Sequence, residues 1–395
     1  YNSGNIHFYI YNVGTRSTSY NVEIGEMESH DGNLDRLTCY YYDLGEPSLN
    51  DGALKGTLRK MDTDASPIAF TRVEYHQFAI AWALRSKDRF YVDAVYAAPF
   101  SHTCFQQFNQ AQGALSEMAG VIGSAAGPAD GMEQSYQEIV KLFELLNEPV
   151  DGRVFRGSTE YMNADATPVD SDAAHDLIRR AHESKESLYV AAIGAATNIA
   201  SALRMDPSIT DKIVVVWLGG NALGMGQGIE FNLIQDVRAA QVLFDSKVPL
   251  IWIPCFDVAS LLSVSEAELR EKLLHTTPIG NYLAQTVLDA FTNPKSDIAF
   301  MHLNRGSNLR GNCDESEEYL LQFPTDKVAW SRIIWDIAAI AVLKNPNWTP
   351  SVLISSPVLN DDFTWGTTNA DRHRIRMVTH CYRNMIFGDL FDILG

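Results

Sequence analysis

The chain has 395 residues, 46% of them hydrophobic, with a formal net charge of −18 at pH 7. That length admits one large α/β domain with an appendage, or two domains, and the acidity argues against a nucleic-acid partner, whose phosphates need basic patches. No apolar run approaches a spanning helix and no signal-peptide pattern opens the chain, so no membrane span is expected.

Cys39, Cys104, Cys255, Cys313 and Cys381 lack CxxC spacing, which predicts free thiols in an intracellular, reducing compartment and no zinc site. Residues 6–13 (IHFYIYNV) and 36–42 (RLTCYYY) are aromatic and β-branched between turn-forming clusters. They read as strands of a β-rich N-terminal extension over residues 1–60, with residues 61–395 forming the main domain. Exposed aromatics there would instead mark a partner surface. Residues 68–73 (IAFTRV) read as a strand, 78–85 as a helix and 91–97 as a strand. Residues 101–127 form a long loop, in which a short helix over 105–118 would cover a site or dock a neighbour. Beyond Asp130, the positions Tyr136, Ile139, Val140, Phe143 and Leu146 repeat with helical period and belong to a core. Residues 172–182 are amphipathic, with His175 and His182 facing solvent.

The central stretch carries three short Val/Ile-rich runs, at 188–193, 213–218 and 249–254, separated by helical patterns at 198–203 and 236–244. Alternation of this kind is the mark of a doubly wound, mostly parallel α/β sheet with helices on both faces. Ligands in such sheets sit outside the carboxyl ends of the strands. Those ends carry Gly194–Asn198, Gly219-Gly220-Asn221 and Cys255-Phe256-Asp257, and Glu230-Phe231-Asn232 lies in the connection leaving the second strand. Small residues followed by amides and carboxylates predict a polar small-molecule pocket. Residues 263–274 and 280–291 read as helices, 300–320 as a polar irregular loop, and 371–394 as the closing segment. Arg372, His373 and Arg374 form a basic cluster expected to be ion-paired.

The words GAATNIASAL, VVVWLGGNAL, EFNLIQDVRAAQVLF and VPLIWIPC resemble the core of the nucleoside hydrolases. The likeness extends in consistent order through FAIAWALRS, VDAVYAAPF, RVFRGS, SRIIWDIAAIAVL and RHRIRMVTHCYRNMIFGDLF, covering residues 66–395. It implies the fold already inferred and cleavage of the N-glycosidic bond of ribonucleosides with a carboxylate-bound calcium ion. Family members open with a strand ending in Asp-Thr-Asp, followed by two adjacent aspartates entering a helix. Here Tyr75 and His76 stand where that pair is expected. Read without gaps, the upstream motif becomes Ala69, Phe70 and Thr71; with an insertion, Asp62-Thr63-Asp64 supplies it. The ungapped register is preferred because IAFTRV makes a plausible strand, which leaves Asp62 and Asp64 as turn residues. The resemblance also puts the Thr197 carbonyl and Asp336 at the calcium, and Asn221, Glu230 and Asn232 around the sugar. Trp335 stands where some members carry a catalytic histidine.

Each candidate has a structural reading beside it. Asn198 and Asp236 are positioned to cap helices, Asn221 to make a turn, and His76, a candidate general base, to hydrogen-bond at a helix start. Calcium needs six to eight oxygen ligands, several of them carboxylates, so loss of the aspartate pair favours a non-catalytic descendant serving as a structural subunit of a larger assembly. The alternatives are an active calcium-dependent ribonucleoside hydrolase that recruits Asp62 or Asp64, and a module that senses a nucleoside without cleaving it. The resemblance implies a homo-oligomer or other protein partner.

Overall fold

The computed structural model describes residues 76–101, 125, 127–292, 331–367 and 370–395, together with six short strands in the first 60 residues. Asp62, Asp64, Tyr75, the strand expected over 68–73, the helix over 105–118 and the loop over 300–320 lie outside the described residues. The chain divides into residues 1–66 and residues 67–395. In the first unit the strands pair antiparallel: β1 (Asn5–Ile10) with β2 (Tyr20–Gly25), β3 (Tyr40–Tyr42) with β6 (Leu58–Lys60), and β4 (Leu49–Asn50) with β5 (Ala53–Leu54).

The second unit runs α1 (His76–Arg85), β7 (Val95–Tyr96), α2 (Pro128–Leu145), β8 (Val154–Phe155), α3 (Asp172–Glu183), β9 (Leu188–Ala192), α4 (Thr197–Met205), β10 (Ile213–Leu218), α5 (Phe231–Gln235) and α6 (Val237–Asp245). It continues with β11 (Leu250–Ile253), β12 (Ser263–Ser265), α7 (Glu266–Lys272), α8 (Pro278–Thr292), β13 (Ser331–Ile333), α9 (Ile337–Lys344), β14 (Ser351–Ser355), β15 (Arg374–Val378) and α10 (Arg383–Leu394). The main sheet has the order β14-β15-β11-β10-β9, with β9, β10, β11 and β15 parallel and β14 antiparallel at one edge. β7 and β8 form a separate parallel pair.

Strand β10 shows why the sequence demands this arrangement. Its side chains alternate between faces, and both faces are covered. Val216 and Leu218 enter a core built with α1, α2, α8, α9 and α10, whereas Val215 and Trp217 enter a second core with α3, α4 and α6. α1 (HQFAIAWALR) is apolar nearly all round, and residues Gln77 to Ala79 and Ala81 to Leu84 are buried, as such a helix requires. α3 is amphipathic instead; it buries Ala173, Ala174, Leu177 and Ala181, and Ser171 caps it by accepting from the Ala174 amide. His175 and His182 face outward, paired with Asp170 and Asp206, and Arg372 pairs with Asp245.

The helix expected over 263–274 begins later than its pattern suggests. Residues 263–265 pair with 331–333, and Ser265 then starts α7 through a capping box with Glu268. The strand expected over 91–97 is confined to Val95–Tyr96, and Tyr91 is exposed.

At the end of α9 the buried Lys344 ammonium lies 2.5 Å from Asp389 of α10 and 3.0 Å from the Ser86 hydroxyl. The same aspartate accepts from the Trp82 indole at 2.9 Å. A buried ammonium persists only when paired in this way.

Candidate functional site

The site is assembled where β9, β10 and β11 end. A cavity of about 960 Å³ lies along β9, from the carboxyl end of that strand, where its wall includes His76, Phe100, Asn198, Phe231, Asn232 and Gln235, back to residues 184–188 at its start. It also reaches residues 92–96. Of the residues expected at the site, His76 and Asn232 line the cavity; Thr197, Asn221, Glu230 and Asp336 are not in its wall but are held around the same strand ends.

Glu230 precedes α5 and caps it, accepting from the amides of Asn232 at 3.0 Å and Leu233 at 3.2 Å. It also accepts from the Gly220 amide at 2.8 Å. Gly220 has φ +71°, the left-handed region that glycine enters without steric cost, and this turn aims its N–H at the carboxylate. Burial raises the Glu230 pKa even against these bonds, which favour the ionised form. The Cys255 thiol donates to Glu230 and lies within electrostatic reach of Asp336. Burial foremost, then these two carboxylates, hold its pKa well above the ordinary thiol value, so it is an unreactive thiol.

The amides are similarly committed. Asn221 donates to the Ile229 carbonyl at 2.5 Å and accepts from the Phe256 amide at 3.3 Å. Asn232 donates to the Leu218 carbonyl at 2.9 Å, bridging α5 to the end of β10. The Thr197 hydroxyl donates to Asp236 at 2.7 Å, and that carboxylate also accepts from Met162 at 3.0 Å while capping α6 through Ala239 at 2.9 Å. Asn198 does not cap α4, whose N-cap is Ala196. Its amide turns sideways instead, accepting from the Ser158 amide and hydroxyl at 2.7 and 2.9 Å and donating to the Ala97 carbonyl at 2.9 Å. Gly157 permits this closeness: a Cβ there would lie 1.9 Å from the Ala97 carbonyl oxygen.

Asp336 precedes α9 without spending its side chain on the helix. Its Oδ2 lies 2.7 Å from His76 Nδ1; the carboxylate is buried and the imidazole is 31% exposed. Burial alone would lower the imidazole pKa, but the Asp336 charge and contact outweigh it and raise it above 6.5. Trp335 is buried and packs edge-on against Phe256, with ring centroids 5.4 Å apart.

Gln235 had no place in the expectations drawn from the sequence. It ends the short helix FNLIQ, and its being the second amide on that helix, three residues after Asn232, was the available signal.

The family described as inosine-uridine preferring nucleoside hydrolase matches residues 76–385, and the chain belongs to that family. A putative pyrimidine-specific ribonucleoside hydrolase of Shigella boydii is 36% identical over 107 residues, 26% of this chain and 42% of that protein. The matched stretch thus spans under half the length of that curated relative. Among solved structures, a purine-preferring ribonucleoside hydrolase from Gardnerella vaginalis superposes with a TM-score of 0.53 at 17% identity, covering 82% of this chain and 96% of the other. A type III effector protein, XopQ, complexed with adenosine diphosphate ribose gives a TM-score of 0.52 at 14% identity, covering 82% and 90%. At these identities the likeness is one of fold.

Proposed function

We propose that this chain keeps a nucleoside-type pocket of its family but has lost or strongly reduced the hydrolytic chemistry, and that it serves as a structural subunit of a larger assembly. The observation that carries this reading is the 2.7 Å contact between His76 and Asp336. Where the resemblance puts a second carboxylate, an imidazole closes off the first.

The donor set fits calcium poorly. The ion takes six to eight oxygens with several carboxylates among them. Among the described residues, the resemblance puts only Asp336 and the Thr197 carbonyl at the ion, and Asp336 meets an imidazole nitrogen where a second carboxylate would be needed. Protonation of a leaving base is also unsupported at Trp335, since an indole N–H is no acid near neutral pH.

The test is release of reducing sugar from uridine and inosine, with and without added calcium, against a family hydrolase as positive control. The expected result is no release above background. Calcium-dependent turnover that disappears in Asp336→Ala would establish the active alternative with a remodelled metal site. The mass of the particle in solution tests the assembly, and a monomer with no partner would remove that part of the reading.

A further inference from the structure

Gln235 lines the cavity and is 5% exposed. Its Oε1 accepts from two donors, the Ser101 amide at 2.7 Å and the Tyr161 hydroxyl at 2.5 Å. A carbonyl oxygen has two lone pairs, so both are spent. The alternative amide rotamer is excluded on the same ground, because it would turn an NH2 group onto the Ser101 N–H. The orientation leaves Nε2, with its two hydrogens, as the end of the side chain to which no described residue hydrogen-bonds. Phe231 lies four residues earlier on the same helix and also lines the cavity, and residues at that spacing share one helical face. An oriented donor beside an aromatic ring is the pairing that recognises a flat heterocycle carrying an acceptor.

We infer that Gln235 Nε2 is the donor that reads a ring carbonyl of a nucleobase, with Phe231 supplying the apolar contact. The inference rests on the nucleoside reading above and adds the residue that sets base preference. It does not depend on whether the glycosidic bond is cleaved.

Calorimetric titration of the full chain with uridine and with free ribose tests it, in the wild type, Gln235→Glu and Gln235→Leu. Glutamate keeps the two acceptor bonds to Ser101 and Tyr161 but removes the donor, so the fold is retained, which an unchanged Tm verifies. The expected result is uridine binding at least tenfold weaker in both variants, with ribose binding unchanged. Equal uridine affinity in wild type and Gln235→Glu overturns this inference and leaves the nucleoside pocket standing. A wild type that binds neither ligand overturns both.

Discussion

Replacing Asn198 by alanine tests how the wall of the site is held. In the folded chain its amide joins three segments: the start of α4, the Ala97 carbonyl beyond β7, and Ser158 beyond β8. Ser158 and Ala97 are both fully buried, so water cannot replace the lost partner. Two backbone groups are left unsatisfied, each costing about 1–3 kcal/mol, for a total of about 3 kcal/mol. The Ser158 hydroxyl can rotate towards another acceptor and adds little. With an unfolding entropy of about 2.1 cal/mol/K per residue, a unit the size of residues 67–395 loses about 4 °C of Tm. Calorimetric unfolding of the full chain measures this, with Ser158→Ala as a control expected to cost about 1 kcal/mol or less. A drop under about 1 °C in Asn198→Ala would refute the reasoning, because it would mean that the amide is not holding the strand ends together and is free for other work.

Two further outcomes follow from the same geometry. Burial pushes the Asp176 pKa up, but hydrogen bonds from Arg180, Arg179 and Tyr96 outweigh it and hold the carboxyl below its ordinary 3.8. Its contribution to stability is therefore complete above that value and is lost as pH falls through the depressed folded-state pKa. Asp176→Asn should flatten the acid side of a Tm-against-pH curve, and an unchanged slope would show that the carboxylate is not linked to folding. Phe244→Ala removes a ring set edge-on to Trp217, Trp252 and Trp365, with centroids 5.4 to 5.8 Å apart. A cost of about 3–5 kcal/mol is expected, read as a lower denaturant midpoint, together with altered near-ultraviolet dichroism from the three indoles.

The architecture was legible where burial alone dictates residue choice. The run IVVVWL has no polar face, so it had to lie between two apolar layers, and β10 does. Asp236 was equally readable, since a carboxylate just before a helical pattern is a cap, and it caps α6. Asn198 was not. The same local signal suggested a cap, but its bonds go to residues 40 and about 100 positions away, and spacing along the chain carries no record of such partners. Gln235 was hidden for the same reason: which end of its amide faces the cavity is fixed by Ser101 and Tyr161, distant donors that no local pattern names. The contact between His76 and Asp336, 260 positions apart, belongs with them.

The knot at Lys344 ties the last helix to the first. Were the chain clipped before Asp389, the ammonium would be left facing only the Ser86 hydroxyl and the face of Trp82, a stranded charge that the interior cannot tolerate. The damage would surface in α1, at the opposite end of the fold's sequence and in the helix that carries His76. Helix α10 thus acts as a clasp on α1, and through it on one wall of the cavity.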